Sequence, residues 1–128
     1  MTTTRSLVAS EPNKPFPGND SRYQRGLWAE EICQQYYQKL GFARVAHRLR
    51  TPFGEVDWVF KREGIWVCVE VKLWRATDDI HMCVKFAQKQ RLRRAYEYLL
   101  SKVHKNLEFH LVVVGSDGSV QVYEDFLW

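Results

Sequence analysis

The chain has 128 residues, 45% of them hydrophobic and 14% aromatic, enough for one hydrophobic core and too few for two. Its formal charge of +4 suits an anionic partner. No apolar run approaches the roughly 18 residues of a membrane-spanning helix, and no export signal opens the chain, so a cytoplasmic protein with no membrane partner is expected.

Residues 1–21 hold Pro12, Pro15 and Pro17 among Thr, Ser, Asn and Gly, with neither helical nor strand periodicity, and are expected to be a flexible tail. Residues 22–128 are then one domain. Ser21 and Gln24 have the spacing of a capping box before Trp28, Ala29, Ile32, Cys33, Tyr36 and Leu40, which recur at helical spacing until Gly41. Residues 42–50 and 54–61 read as strands around the turn Thr51–Gly54, and Glu63–Gly64 turns the chain into a third strand, IWVCVEVK. A helix of about 24 residues is expected from near Asp79, with Ile80, Cys83, Val84, Leu92, Ala95 and Leu99 on its apolar side. Two strands around Ser116–Ser119 complete an αβββαββ order, an α/β fold with a mixed sheet and helices on both faces. Cys33, Cys68 and Cys83 are odd in number and widely spaced among apolar residues, which fits buried hydrophobes better than disulfides or zinc ligands.

The central hairpin carries the strongest chemical signal. With a two-residue turn at Glu63–Gly64, Asp57 faces Glu70 and Glu55 faces Lys72, all on one side of the sheet. Val56, Trp58, Phe60, Ile65, Val67, Val69 and Val71 take the other side. Two opposed carboxylates repel, and partial burial makes the repulsion worse. A hard divalent cation, Mg²⁺ or Mn²⁺, relieves it and brings affinity for phosphate. Lys72, one side-chain repeat beyond Glu70, is placed to orient a water or neutralise charge on a phosphoryl group, with Glu55 holding its ammonium. The plain alternative is a surface hairpin with an ordinary Glu55–Lys72 ion pair.

Gly54-Glu55-Val56-Asp57 followed by Val69-Glu70-Val71-Lys72 resembles the PD-(D/E)xK superfamily of restriction-endonuclease-like proteins. With Gly26-Leu27-Trp28-Ala29-Glu30, Leu40-Gly41-Phe42 and Lys89, Arg91, Leu92, Ala95, Tyr98 and Leu99, the chain more closely resembles the YraN family of small bacterial proteins, which are compared with Holliday-junction resolvases. The resemblance implies a restriction-endonuclease-like core and a metal-dependent endonuclease. It assigns Asp57 and Glu70 to the metal, Lys72 to transition-state or water positioning and Glu30 to the same site from the first helix, with the Val71 carbonyl completing the metal shell. A homodimer is expected on the same ground. Ala29, Trp58 and the stretch after Lys72 depart from the family pattern without removing any of these residues.

Charge is unevenly placed: residues 22–94 carry +7, residues 95–128 carry −3, and the tail is neutral. His81, Lys85, Lys89 and Arg93 recur every four residues on the second helix, and Arg44, Arg48 and Arg50 cluster beside the first strand. Such stripes disfavour an isolated helix and suit a phosphate backbone. Lys85, Lys89, Arg93, Arg75, Arg48 and Arg50 are therefore expected to contact nucleic acid, DNA in the first instance, by position and shape rather than by sequence. Trp74 is the best placed aromatic for stacking on a base. The same surface also suits a non-catalytic nucleic-acid-binding module, or a domain whose basic helix meets an acidic protein.

Overall fold

The computed structural model describes residues 3–7, 15–18, 21–74, 84–103, 106–124 and 126–127. Helix α1 (Arg22–Lys39) starts where the Ser21 hydroxyl accepts the Gln24 N–H at 3.2 Å, satisfying one donor of its first turn. It stops at Gly41, whose φ of +87° lets Gly41 N–H and Phe42 N–H return to the carbonyls of Gln38 and Tyr37. Phe42 packs edge-on against Tyr37, adding the apolar contact that commonly accompanies this helix end.

Strands β2 (Ala43–Thr51), β3 (Gly54–Arg62) and β4 (Ile65–Leu73) form an antiparallel meander. Glu63 and Gly64 both have positive φ, +48° and +81°, the backbone of a tight hairpin turn that follows the strand twist. The register runs from Arg62 opposite Ile65 to Trp58 opposite Val69, as the two-residue turn requires. Helix α2 (Phe86–Lys102) then returns the chain so that β5 (Asn106–Val114) pairs parallel to β4, and β6 (Val120–Glu124) folds back on β5. The sheet is mixed, as expected. Within the segment read as a tail, Thr3–Leu7 forms a strand, β1, antiparallel to β6, giving the order β1-β6-β5-β4-β3-β2. Its sequence, TTRSL, is short and mostly polar, so it carries no apolar periodicity to read.

The two helices cover opposite faces. Trp28, Ile32, Cys33 and Tyr37 of α1 pack on Trp58, Phe60, Val67 and Val69, whereas Leu92, Ala95 and Leu99 of α2 pack on Val59, Cys68, Phe109 and Leu111. Two expectations need correction. Val56 lies on the α2 side with Val59, not on the α1 side with Trp58, because strict alternation is interrupted at Asp57 and at Arg48 opposite it, whose φ is +53°. Helix α2 begins at Phe86, since Lys85 is extended at φ −68° and ψ 154°. Val84 is nevertheless buried, so an apolar residue before the helix continued its periodicity without being helical. Ile80, His81 and Cys83 lie outside the described residues. No helix among the described residues is long and apolar enough to cross a membrane.

Candidate functional site

The site forms where β3 and β4 part. Beyond the pair Trp58–Val69 their ladder ends, and Asp57 Oδ2 instead accepts the Val71 N–H at 2.7 Å. A side chain has replaced a main-chain acceptor, which leaves the Asp57 carboxyl at the gap between the strands. Glu70 is 5% exposed and faces α2. The two acids feel each other: burial is the largest cause holding Glu70 well above the ordinary carboxylate range, and the charge of Asp57 adds to it. Burial likewise pushes Asp57 up, against the bond from Val71.

The two Glu70 oxygens differ. Oε2 lies 3.3 Å from Gln88 Nε2, 3.8 Å from Arg91 Nη2 and 3.9 Å from Lys72 Nζ. Oε1 is buried with no hydrogen-bond partner. The Asp57 and Glu70 carboxyls are within hydrogen-bond reach of each other and share a proton when one of them is protonated; with both ionised the pair is costly, and oxygen donors of this hardness suit Mg²⁺ or Mn²⁺.

Glu30 reaches the same region from α1. Its charge adds to the upward pull on Asp57, but its own oxygens are engaged by His47 at 2.9 Å and by Arg48 at 3.0 and 3.3 Å. Glu30 in turn holds the Arg48 guanidinium firmly protonated. Trp58 secures this corner by donating its indole N–H to the Glu30 carbonyl at 3.0 Å and stacking on the His47 ring at 4.0 Å.

Lys72 does not pair with Glu55. Because β3 and β4 have already separated, the facing relation stops short of these residues. Glu55 instead sits opposite Arg50 across β2, with 3.9 Å between their charged groups, and Lys72 turns to Glu70. Gln88 and Arg91 were not expected at the acids. Their spacing of three on one helix face was the available signal, but only the docking of α2 over β4 shows where that face points. Arg91 also donates to the carbonyls of Phe53 and Glu55, fastening α2 to the start of β3.

The expected nucleic-acid contacts are dispersed. Arg50 is exposed, whereas Arg48 is committed to Glu30. Lys85 precedes α2 rather than riding on it, so it forms no continuous helical stripe with Lys89 and Arg93. Lys89 lies over the Phe126 ring at 4.8 Å, Arg93 is half-buried, and Arg75 lies outside the described residues. Trp74 packs against the α2-side core with its indole nitrogen buried.

A family model described as "Uncharacterised protein family UPF0102", also known as YraN, matches residues 29–114. Many relatives carry the same family name, among them the following three. A UPF0102 protein of Shewanella denitrificans is 35% identical over 95 residues, covering 73% of this chain and 88% of its own. One from Bradyrhizobium diazoefficiens is 32% identical, covering 80% and 77%. Another, from Rhodopseudomonas palustris strain BisB18, is 32% identical, covering 87% and 82%.

Proposed function

The chain belongs to the UPF0102 family, and we propose that it is a metal-dependent endonuclease hydrolysing phosphodiester bonds of DNA. The observation that carries this reading is the buried Asp57–Glu70 pair, with one unpartnered Glu70 oxygen and Lys72 alongside, at the parting of two strands. Asp57 and Glu70 are the residues that would hold Mg²⁺ or Mn²⁺. Such an ion, when bound, supplies a Lewis acid that favours attack by water and offsets charge at the phosphate. The protein's own part is to hold Asp57 in place through Val71 N–H and to fix Glu70 between Gln88, Arg91 and Lys72. Lys72, 26% exposed, is the cation on hand for the phosphoryl oxygens. Glu30 shapes the α1 side through His47 and Arg48. Lys85, Lys89, Arg93, Arg75 and Arg50 are the cations proposed to position the nucleic-acid backbone; contacts of this kind carry no sequence code, and the proposed preference is for branched or single-stranded structure.

A second reading rests on a separate observation: Glu70 Oε2 already faces three donors, two of them cationic, which partly offsets the acid without any metal. A nucleic-acid-binding module without catalysis would have that arrangement. Incubation with branched, single-stranded and duplex DNA and with RNA, in Mg²⁺, Mn²⁺ or chelator, separates the two. Metal-dependent cleavage reduced at least about a hundredfold in Asp57→Ala and Lys72→Ala supports the nuclease. Salt-sensitive binding without cleavage in either metal supports the module and removes the nuclease.

A further inference from the structure

On the opposite face of the sheet from Glu70, we propose a second cation site, formed by Glu108, His110 and Glu124 and suited to Zn²⁺ or a similar transition-metal ion. Its ligand positions follow from the strands. Glu108 and His110 are two apart on β5 and share a face, and Glu124 on β6 is the residue paired with His110. One ligand atom from each residue lies within 4.8 Å of the others. His110 Nε2 is 3.2 Å from Glu108 Oε1 and 3.9 Å from Glu124 Oε1. Ligand atoms about 2.1 Å from a tetrahedral ion are about 3.4 Å apart, so small side-chain rotations bring all three into range.

The surroundings suit an ion as well. His110 is 6% exposed, and its other ring nitrogen, Nδ1, is 2.6 Å from the Tyr37 hydroxyl. A histidine ligand oriented through its second nitrogen is the usual arrangement at metal sites. In the metal-free protein, Tyr37 donates to Nδ1 and Nε2–H donates to Glu108. With an ion on Nε2 the ring proton moves to Nδ1 and the tyrosine oxygen accepts it, since a hydroxyl can serve in either role. The three residues also line a cavity of about 160 Å³, which has room for a water as a fourth ligand. An imidazole with two carboxylates favours Zn²⁺, Mn²⁺ or Co²⁺ over Mg²⁺, which prefers oxygen donors throughout. The ion would tie β5 to β6 beneath the end of α1. It does not depend on the nuclease reading, because Asp57 and Glu70 take no part.

The test uses the full chain, stripped of metal, titrated with Zn²⁺ by calorimetry and with Co²⁺ by visible absorption. The Asp57→Asn chain, in which the other acidic pair is disabled, should bind one equivalent of Zn²⁺, with a Co²⁺ spectrum typical of four-coordination. Glu108→Gln, at a largely exposed side chain, and Glu124→Gln should each weaken binding at least about tenfold, and Asp57→Asn should leave it unchanged. Absence of saturable Zn²⁺ binding overturns the proposal. So does binding to the Asp57→Asn chain that survives both glutamine substitutions, or binding that disappears on Asp57→Asn alone.

Discussion

Asp57 and Glu70 are held protonated more readily in the folded chain than in the unfolded one, so their effect on stability depends on pH in a definite direction. Below the ordinary carboxylate range both states carry the protons and the pair costs little. As pH rises from that range through the raised folded values, the unfolded chain releases its protons first and the fold loses stability. In chelator, Asp57→Asn should therefore be more stable than the parent at pH 8 by about 1 kcal/mol, because the amide oxygen still accepts Val71 N–H without the charge. The gap should close as pH falls toward 4. Thermal unfolding across pH measures it, and equal midpoints at pH 8 would contradict this account. The nearness of the two acids was legible in the sequence, because the Glu63–Gly64 turn sets a register that runs to Trp58–Val69, one pair short of them. The partners were not. Continuation of the ladder would bring Lys72 opposite Glu55, but the strands part first, and Gln88 and Arg91 become neighbours of Glu70 only through tertiary docking.

At the scale of elements, the two turns of the meander make separable predictions. Gly54 has φ +113°, and a Cβ there would collide with the Arg91 guanidinium, so Gly54→Ala strains the backbone and dislodges the residue that fastens α2. A loss of about 1–3 kcal/mol is expected in urea denaturation. Glu63 occupies the left-handed region without being glycine or asparagine. Glu63→Asn should consequently stabilise the hairpin by about 0.5–1 kcal/mol, read in the same experiment. Strands β2 to β6 and helix α1 could be read from turn residues and periodicity, because each is bounded by a strong local signal such as Ser21, Gly41 or Gly64. The start of α2 could not. Val84 is buried from an extended segment, and apolar spacing alone does not separate that from a further helical turn.

For the molecule as a whole, β1 covers one side of β6, and that coverage was invisible in a proline-rich, aperiodic segment. A chain lacking residues 1–14 would present the β6 edge to solvent. It should self-associate at concentrations where the full chain does not, as sedimentation velocity can show, because an unpaired strand is a template for another. Identical sedimentation of the two chains would mean that β1 is dispensable as a cover. The mixed sheet and its helices on both faces were expected from the order of elements.

The parallel pairing of β4 with β5 also has a kinetic consequence. The meander and the β5–β6 hairpin can form from contacts near in sequence, whereas β4 meets β5 only after the chain carrying α2 has closed back on itself, at an entropic cost incurred before any pair is made. Glu70 thus acquires Gln88 and Arg91 late in folding. Stopped-flow measurements should show Glu63→Asn acting mainly on the refolding rate and Gln88→Ala mainly on the unfolding rate. The acidic site would then be among the last parts of the molecule to assemble and among the first to loosen.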